Sequence, residues 1–329
     1  MSQKRVGFVF VALLAFALAF FFTSCQDLSV SKLKANYHFS KANQFFKDGK
    51  YRKAITEYED TLKFNPNMVE AYRFLGESYK SLFKPGVDTP ENNGISKKAL
   101  AAFQKAHEVN PKNKDVIYSL GDMYDKLRNF TQAEKYFLMI LELEPGNMEN
   151  YYVVAEFYKR YASEREELRA KAVSMYLRRI ELDPENPIGY AYMANYYDQT
   201  TPVPEFDKAV GYLHMRAELD PNNAEVYYSI GVNRFMKGYR LQNVLSIPDR
   251  EKLGQDSVDA LNKAIEIDPA YPDPYAYLNL VYRNIFAKVY PEKESRYVQE
   301  ADRWTEKFQE VRKRAIEKER LEKELKKTE

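Results

Sequence analysis

Six prolines recur along most of the chain, each preceded by a polar or acidic residue and followed by a tyrosine-rich segment with helical spacing. Proline cannot continue a helix, because it lacks the backbone N–H and clashes with the preceding turn, but it is tolerated at the start of the next helix. The polar residue beside it can accept hydrogen bonds from the free N–H groups there. The chain is therefore predicted to be a series of helical units. The six dipeptides, 34 to 48 residues apart, are Asn65-Pro66, Asn110-Pro111, Glu144-Pro145, Asp183-Pro184, Asp220-Pro221 and Asp268-Pro269.

A second pattern recurs inside each unit. Large apolar residues and a Leu-Gly or Met-Ala pair stand at helical spacing, and a small and a large residue four apart follow them. Residues four apart share a face of a helix, and one such pair of helices is too small to bury its apolar faces alone. The units must therefore stack. In the unit that begins at Lys114 the residues are Ile117, Leu120-Gly121, Tyr124, Ala133, Phe137, Ile140 and Pro145.

This pattern resembles the tetratricopeptide repeat, which has a period of 34 residues, and the resemblance covers residues 35 to about 309. It implies an all-α fold: a right-handed superhelix (α-solenoid) of six to seven helix-turn-helix repeats with a C-terminal capping helix. The implied repeats are about 35–68, 69–113, 114–147, 148–186, 187–223, 224–271 and 272–309, and a charged helical tail follows at 310–329.

The composition argues against an enzyme and against a nucleic-acid-binding protein. Twelve glycines leave little room for glycine-rich phosphate loops, and a net charge of +2 gives no basic surface for nucleic acid. The three histidines have no metal-ligand spacing, and no catalytic motif is present. We therefore predict no catalytic residue, no metal site and no cofactor, and we interpret His38 as a core residue.

The first 25 residues have the three parts of an export signal. Lys4 and Arg5 precede the apolar run 6–22, and Thr23, Ser24 and the only cysteine, Cys25, follow it. This resembles the lipobox of bacterial lipoproteins, which implies cleavage after residue 24, lipidation of Cys25 and a short tether at 25–34. An uncleaved anchor and an ordinary free thiol are the alternatives. The expected location is the periplasmic side of the bacterial envelope. The outer membrane is favoured because Gln26, rather than an aspartate retention signal, follows Cys25.

In the resembled family, positions two, five, nine and twelve of the first helix of each repeat line an inner groove that binds partner proteins. Carried over to this sequence, these positions combine exposed aromatic rings with acidic groups. A peptide segment held by Tyr118, Tyr152 and Tyr228, with a mild preference for basic side chains, is the predicted partner. The alternative is a merely solvated groove, with the true interface on the insert rim or the outer face. The candidate residues are Phe39, Asn43, Arg73, Glu77, Tyr118, Asp122, Tyr152, Glu156, Lys159, Asn195 and Tyr228.

A clamp for a terminal carboxylate, which some tetratricopeptide proteins use, needs a Lys, Asn and Arg set. Asn43 and Arg73 fit loosely, but Glu77 and Asp122 would repel a carboxylate, so the sequence argues against this clamp.

Four inserts, at 81–96, 161–170, 200–206 and 238–255, fall between the first and second helix of a repeat. They would decorate one rim, where loops often bind partners, although such turns also tolerate extra length at little cost. In the tail the apolar stripe lapses at Lys318, which favours a capping helix with a solvated end over a coiled coil.

The resemblances imply an exported, membrane-anchored scaffold that binds other proteins. An assembly factor for outer-membrane β-barrel proteins or for a type IV pilus or secretin system is the alternative. A cell-wall-acting enzyme is a third possibility, which the missing catalytic constellation disfavours.

Overall fold

The computed structural model describes residues 30–199 and 204–326. The predicted signal segment and Cys25 lie outside these ranges. The described residues form helices and the turns between them, without a strand, which confirms the all-α expectation. The helices are α1 (30–47), α2 (Tyr51–Phe64), α3 (Val69–Leu82), α4 (Pro90–Val109), α5 (Lys114–Lys126), α6 (Phe130–Leu143), α7 (Met148–Tyr161), α8 (Glu167–Leu182), α9 (Pro187–Asp198), α10 (Phe206–Leu219), α11 (Ala224–Arg240), α12 (Ile247–Ile267), α13 (Asp273–Val281), α14 (Ala287–Val289) and α15 (Glu294–Leu325).

The chain forms two compact units, residues 1–150 and 151–329, of which the described parts are considered separately. In the first unit α2 packs on α3, α3 on α4, and α5 on α6. In the second, α9 packs on α10, α11 on α12, and α13 on α15. Consecutive helices therefore pair as the repeat pattern predicts. No helix in the described ranges combines the length and apolar character needed to cross a membrane.

After four of the six repeated prolines, an asparagine two residues beyond the proline accepts a backbone N–H hydrogen bond at the helix start. Asn223 Oδ1 accepts a hydrogen bond from the backbone N–H of Glu225 at 3.0 Å, and Asn223 Nδ2 donates to Asp220 at 2.7 Å. Here the acidic residue before the proline orients the cap, whereas Asn65, Asn110 and Asp268 accept a backbone N–H hydrogen bond directly, as expected. The same relay joins Asp183 to Asn186 at the start of α9.

Glycines of the first helices allow close contact with large side chains of the second helices. A Cβ atom built on Gly76 would lie 2.5 Å from the Phe103 ring, and one on Gly121 would lie 2.9 Å from the Phe137 ring. Gly231 meets Leu261 in the same way, at 2.6 Å. Each distance is shorter than real Cβ contacts allow, so the Leu-Gly element of the repeat is required by packing.

Two inserts consist largely of helix extensions. α4 begins at Pro90, capped by Thr89, and its Asn92 side chain accepts from Lys84 N–H and donates to the carbonyls of Lys84 and Val87. The short connection before α4 is therefore fastened to the helix. In the sixth repeat α11 runs to Arg240 and α12 starts at Ile247, which leaves only 241–246 between them.

The C-terminal repeat closes on the extended helices of the sixth. A π-helix, Tyr282–Phe286, follows α13, and its Ile285 and Phe286 lie against Gly254, which lacks a side chain to obstruct them. Ile285 also approaches Gly238 of α11. The insert at 238–255 is thus covered at Gly238 and Gly254, whereas residues 242–244 and 246–249 between them remain exposed.

At both ends of the array a helix crosses a predicted segment boundary. Residues 30–34, assigned to the tether, are already helical in α1, consistent with the helix-forming Lys32, Leu33 and Lys34. α15 runs without a break across residue 310 to Leu325. Trp304 packs on the last apolar cluster and lies 6.1 Å from the ring of Tyr275, so the predicted capping helix is present.

Candidate partner-binding face

Positions five, nine and twelve of the first helices, here called the A face, carry an aromatic cluster in the first unit. Phe39 of α1 lies 5.9 Å from the ring of Tyr58 and 6.4 Å from that of Phe74. Phe46 also meets Phe74, at 5.4 Å. Since aromatic rings bury large apolar areas, these contacts hold α1, α2 and α3 together. Tyr58 is fully buried, and the other three rings stay partly exposed.

The polar residues beside this cluster make their contacts with its own rings. Tyr58 donates from its hydroxyl to Asn43 Oδ1 at 2.7 Å, and burial raises the pKa of Tyr58 far above its ordinary value. The guanidinium of Arg73 lies over the Phe74 ring at 4.1 Å. Asn43 and Arg73 therefore stabilise the aromatic cluster, and the structure agrees with the sequence argument against a carboxylate clamp.

Lysines neutralise the acidic groups of the A face in the first unit. Lys80 of α3 lies 2.8 Å from both Glu77 and Asp122, and Lys126 lies 3.2 Å from Asp122. Ser119 donates to Glu77 at 2.6 Å. The preference for basic partner side chains that was inferred from Glu77 and Asp122 therefore has no support here, because both carboxylates are paired within the fold.

The Lys80–Asp122 pair joins two consecutive repeats and shifts the pKa of both groups. Burial would raise the pKa of Asp122, but the hydrogen bond and charge of Lys80 outweigh it and lower that pKa. Burial would lower the pKa of Lys80, but Glu77 and Asp122 raise it. The pair is therefore an electrostatic tie between α3 and α5 at neutral pH.

Replacing Asp122 by asparagine should lower the free energy of unfolding by about 1.5 to 3 kcal/mol at pH 7, since it removes charged hydrogen bonds from a partly buried lysine. The lowered pKa of Asp122 means that its contribution is complete above the unfolded pKa of about 4 and is lost as pH falls through the folded pKa. Denaturant titrations should thus show the difference between Asp122→Asn and the native chain shrinking below pH 4. Glu108→Gln, at the exposed Lys105–Glu108 pair, is the matched control and should change little. A difference in unfolding free energy between Asp122→Asn and the native chain that is as large at pH 3 as at pH 7 would contradict this account.

Tyr118 is the most exposed aromatic residue of the A face in the first unit, with 44% of its surface accessible. Its ring is supported on one side by Phe137 of the paired helix, at 6.1 Å. A large, fixed and exposed ring is a typical anchor for a partner side chain.

In the second unit the A face is built around stacked tyrosines. Tyr152 of α7 stacks on Tyr192 of α9 with ring centroids 4.1 Å apart, and the guanidinium of Arg179 lies 4.9 Å from the Tyr192 ring. Tyr192 was missed as a site residue because it occupies position six. Tyr192 follows Ile188 by four residues, so the two side chains share a face of α9, and Ile188 is exposed. This spacing was the sequence signal that could have identified Tyr192.

The acidic residues of this unit are also engaged. Glu156 accepts a short hydrogen bond from Tyr176 and lies 3.5 Å from Lys159, which donates to Gln199 at 3.0 Å. Burial, and then the hydrogen bond to Glu156, raise the pKa of Tyr176.

The remaining candidates differ in their surroundings. Asn195 is exposed, whereas Tyr228 is half-buried between Tyr271 and Tyr277, at 5.3 and 5.5 Å. Burial raises the pKa of Tyr228. Tyr228 is therefore mainly a packing residue with one accessible edge, and Tyr118 and Tyr152 are the better anchors of the three predicted.

His38 is part of a small polar cluster rather than a fully buried core residue. Its Nδ1 lies 2.7 Å from Glu57, and its ring stacks on Phe64 at 5.7 Å. His38, Glu57 and Asp60 are close enough to share an ion. However, Lys41 already pairs with Glu57 at 2.6 Å and Lys63 with Asp60 at 2.7 Å, so both carboxylates are neutralised by lysines.

Comparison with known proteins gives matches to helical repeats. Residues 92–147 match the tetratricopeptide repeat family. Photosystem I assembly protein Ycf3 from Synechococcus is 28% identical over 120 residues, which is 34% of this chain and 65%, less than two thirds, of that protein. Anaphase-promoting complex subunit CDC16 from Saccharomyces cerevisiae is 24% identical over 190 residues, 56% of this chain and 20% of that one. MamA from Desulfovibrio magneticus is similar in structure, with a TM-score of 0.43 and 15% identity over 57% of this chain and 96% of that one.

Proposed function

We propose that this tetratricopeptide repeat protein is an exported, lipid-anchored scaffold of the bacterial envelope that binds a segment of a partner protein along its A face. The anchor is Cys25, and the sequence pattern around it supports this part of the proposal. No catalytic step is part of the proposed function.

The observation that carries the proposal is the set of supported, accessible aromatic rings on the A face of each unit. Tyr118 is held by Phe137, and Tyr152 by Tyr192. Rings fixed in this way lose little conformational entropy when a partner covers them, which is why aromatic anchors dominate many protein interfaces.

The partner segment is recognised mainly by apolar and aromatic contacts. Glu77 and Asp122 are paired with Lys80 and Lys126, and Glu156 lies near Lys159, so charge adds little to the attraction. An apolar segment interrupted by small polar residues fits this surface better than a strongly basic or acidic one.

Replacing Tyr118 and Tyr152 together by alanine should reduce partner capture at least tenfold, the loss expected when aromatic anchors are removed. The measurement is quantitative mass spectrometry after pull-down with the full chain from detergent-solubilised membranes. The matched control is Tyr37→Ala with Tyr239→Ala, which removes two exposed tyrosines outside the A face.

Capture by the control should stay within about twofold of the native chain, and the helical circular dichroism of both variants should be unchanged. Undiminished capture by the Tyr118 and Tyr152 variant would rule out the A face. Recovery of the native chain in the soluble fraction would contradict the lipid anchor.

A second candidate is an assembly factor for an envelope complex, such as the β-barrel or secretin systems. The observation that favours it is the similarity to Ycf3, whose name denotes photosystem I assembly. Recovery of barrel or secretin components in the same pull-down would favour this function over a general scaffold.

A further inference from the structure

The eleventh position of the first helix is aromatic in every predicted repeat except the sixth. The aromatic residues are Phe45, Tyr79, Tyr124, Tyr158, Tyr197 and Tyr282, and the sixth repeat has Arg234 instead. Since the position recurs in seven repeats, the six aromatic copies show which kind of side chain normally occupies it.

In two repeats the ring at position eleven stacks on a tyrosine of the second helix. Tyr124 stacks on Tyr136 at 5.7 Å with an interplanar angle of 6°, and Tyr197 stacks on Tyr212 at 5.9 Å and 12°. Tyr136 and Tyr212 each follow the small residue of their helix, Ala133 or Ala209, by three positions. A pair of parallel rings therefore fills this space in the third and fifth repeats.

The hydroxyl of the ring at position eleven has its own partner on the preceding second helix. Tyr79 donates to Glu59 Oε1 at 3.0 Å, and Gln104 donates to the Tyr124 hydroxyl at 3.2 Å. Glu59 and Gln104 both follow the small residue of their helix by five positions.

The sixth repeat lacks both rings. Arg234 stands at position eleven, and Ala260, three residues after Ser257, stands where Tyr136 and Tyr212 stand in their repeats. The Arg234 guanidinium turns toward the start of α10, where it donates to the Phe206 carbonyl at 3.0 Å and lies 3.4 Å from Asp207. Its guanidinium is therefore held at α10, while the Arg234 side chain borders the space that the rings would fill.

A hollow of about 520 Å³ lies at this place, between α10, α11 and α12. Ile230 and Ala260 belong to a buried apolar cluster and form its floor. Its other lining residues are His214, Tyr227, Arg234, Lys252, Asp256, Asp259 and Lys263, so charged side chains surround the apolar floor. His214 follows Ala209 by five positions, the place of the hydroxyl partner in the earlier repeats.

We propose that this hollow receives the side chain of a tyrosine from a bound protein, which takes the place of the ring missing from the sixth repeat. The apolar floor covers the ring, and His214 hydrogen-bonds the phenol hydroxyl as Gln104 and Glu59 do for the chain's own tyrosines. The site involves none of the A-face residues, so it is independent of the function proposed above.

The test is titration of the full chain with N-acetyl-tyrosinamide, N-acetyl-phenylalaninamide, N-acetyl-leucinamide and p-cresol, followed by NMR. The tyrosine derivative should bind with a Kd on the order of 1 mM, as expected for a fragment of its size. The phenylalanine derivative should bind about three to ten times more weakly, since it lacks the hydroxyl hydrogen bond. The shifted signals should be those of His214, Ile230 and Ala260.

Two variants fill the hollow with a ring that this chain already accommodates elsewhere. Ala260→Tyr restores the second-helix tyrosine of the third and fifth repeats, and Arg234→Tyr restores position eleven. Each should weaken binding of the tyrosine derivative at least tenfold with unchanged helical circular dichroism. His214→Phe, which leaves the hollow open, should reduce the affinity for the tyrosine derivative to that for phenylalanine.

Two results would overturn the proposal. Equal binding of the leucine and tyrosine derivatives that persists in both filled variants would show that the hollow does not recognise a ring. Binding of p-cresol without binding of the tyrosine derivative would assign the hollow to free phenols instead of a protein side chain. If Ala260→Tyr fails to fold, Arg234→Tyr gives the same comparison.

Discussion

Replacing Phe103 by alanine should lower the free energy of unfolding by about 3 to 5 kcal/mol, the usual loss for a fully buried phenylalanine. None of the Phe103 surface is exposed, and its ring lies only 2.5 Å from the position that a Cβ atom on Gly76 would take. The ammonium group of Lys80 also lies 5.9 Å from this ring, so the substitution removes a support of the A face. Chemical denaturation followed by circular dichroism measures the loss.

The Gly76–Phe103 contact also predicts that the effect of Gly76→Ala on stability changes from destabilising to stabilising once the Phe103 ring is removed. In the native chain Gly76→Ala should be destabilising, because its methyl group would overlap the ring. In the Phe103→Ala chain the overlap is gone, and the same change should stabilise by up to about 1 kcal/mol through helix propensity. Gly94, which has open space around it, is the matched control and should be stabilising in both backgrounds. Equal effects of Gly76→Ala in the two backgrounds would show that the contact does not restrict this position.

Replacing Ile285 by alanine should cost about 2 to 5 kcal/mol, because this fully buried side chain fills the space over Gly238 and Gly254. Hydrogen exchange should accelerate most in the last turn of α11 and the first turns of α12, which the π-helix covers. Ile316→Ala, at a residue of α15 with 57% of its surface exposed, makes the same chemical change and should stay within about 0.5 kcal/mol. A similar loss from both variants, or unaltered exchange in α11 and α12, would contradict the contact inferred here.

The helix pairs could be predicted from the sequence because their determinants are local and repeated. Leu120-Gly121 and Phe137 have counterparts at the same offsets in other units, and each contact joins residues a fixed distance apart in the chain. The exposure of Tyr118 followed from its position in the first helix. These features need no knowledge of how distant segments meet.

The charge of the A face could not be predicted in the same way. Glu77 and Asp122 are acidic in the sequence, but Lys80 lies between them only because α3 and α5 pack at a particular distance and its side chain turns toward both. The contacts over Gly238 and Gly254 depend likewise on a π-helix, which no local sequence pattern indicated. By contrast, Arg234 in place of an aromatic residue was visible in the alignment of the repeats, and its meaning emerged from the hollow beside it.

The contact of Ile285 and Phe286 with Gly254 has an evolutionary consequence. Most repeat arrays can grow by duplication, since any copy offers its successor a similar surface. Here the sixth copy has bare glycine surfaces that only the seventh is shaped to cover. We expect a duplicated copy inserted between them to leave Gly238 and Gly254 uncovered and to destabilise the array, whereas a copy added upstream would keep this contact.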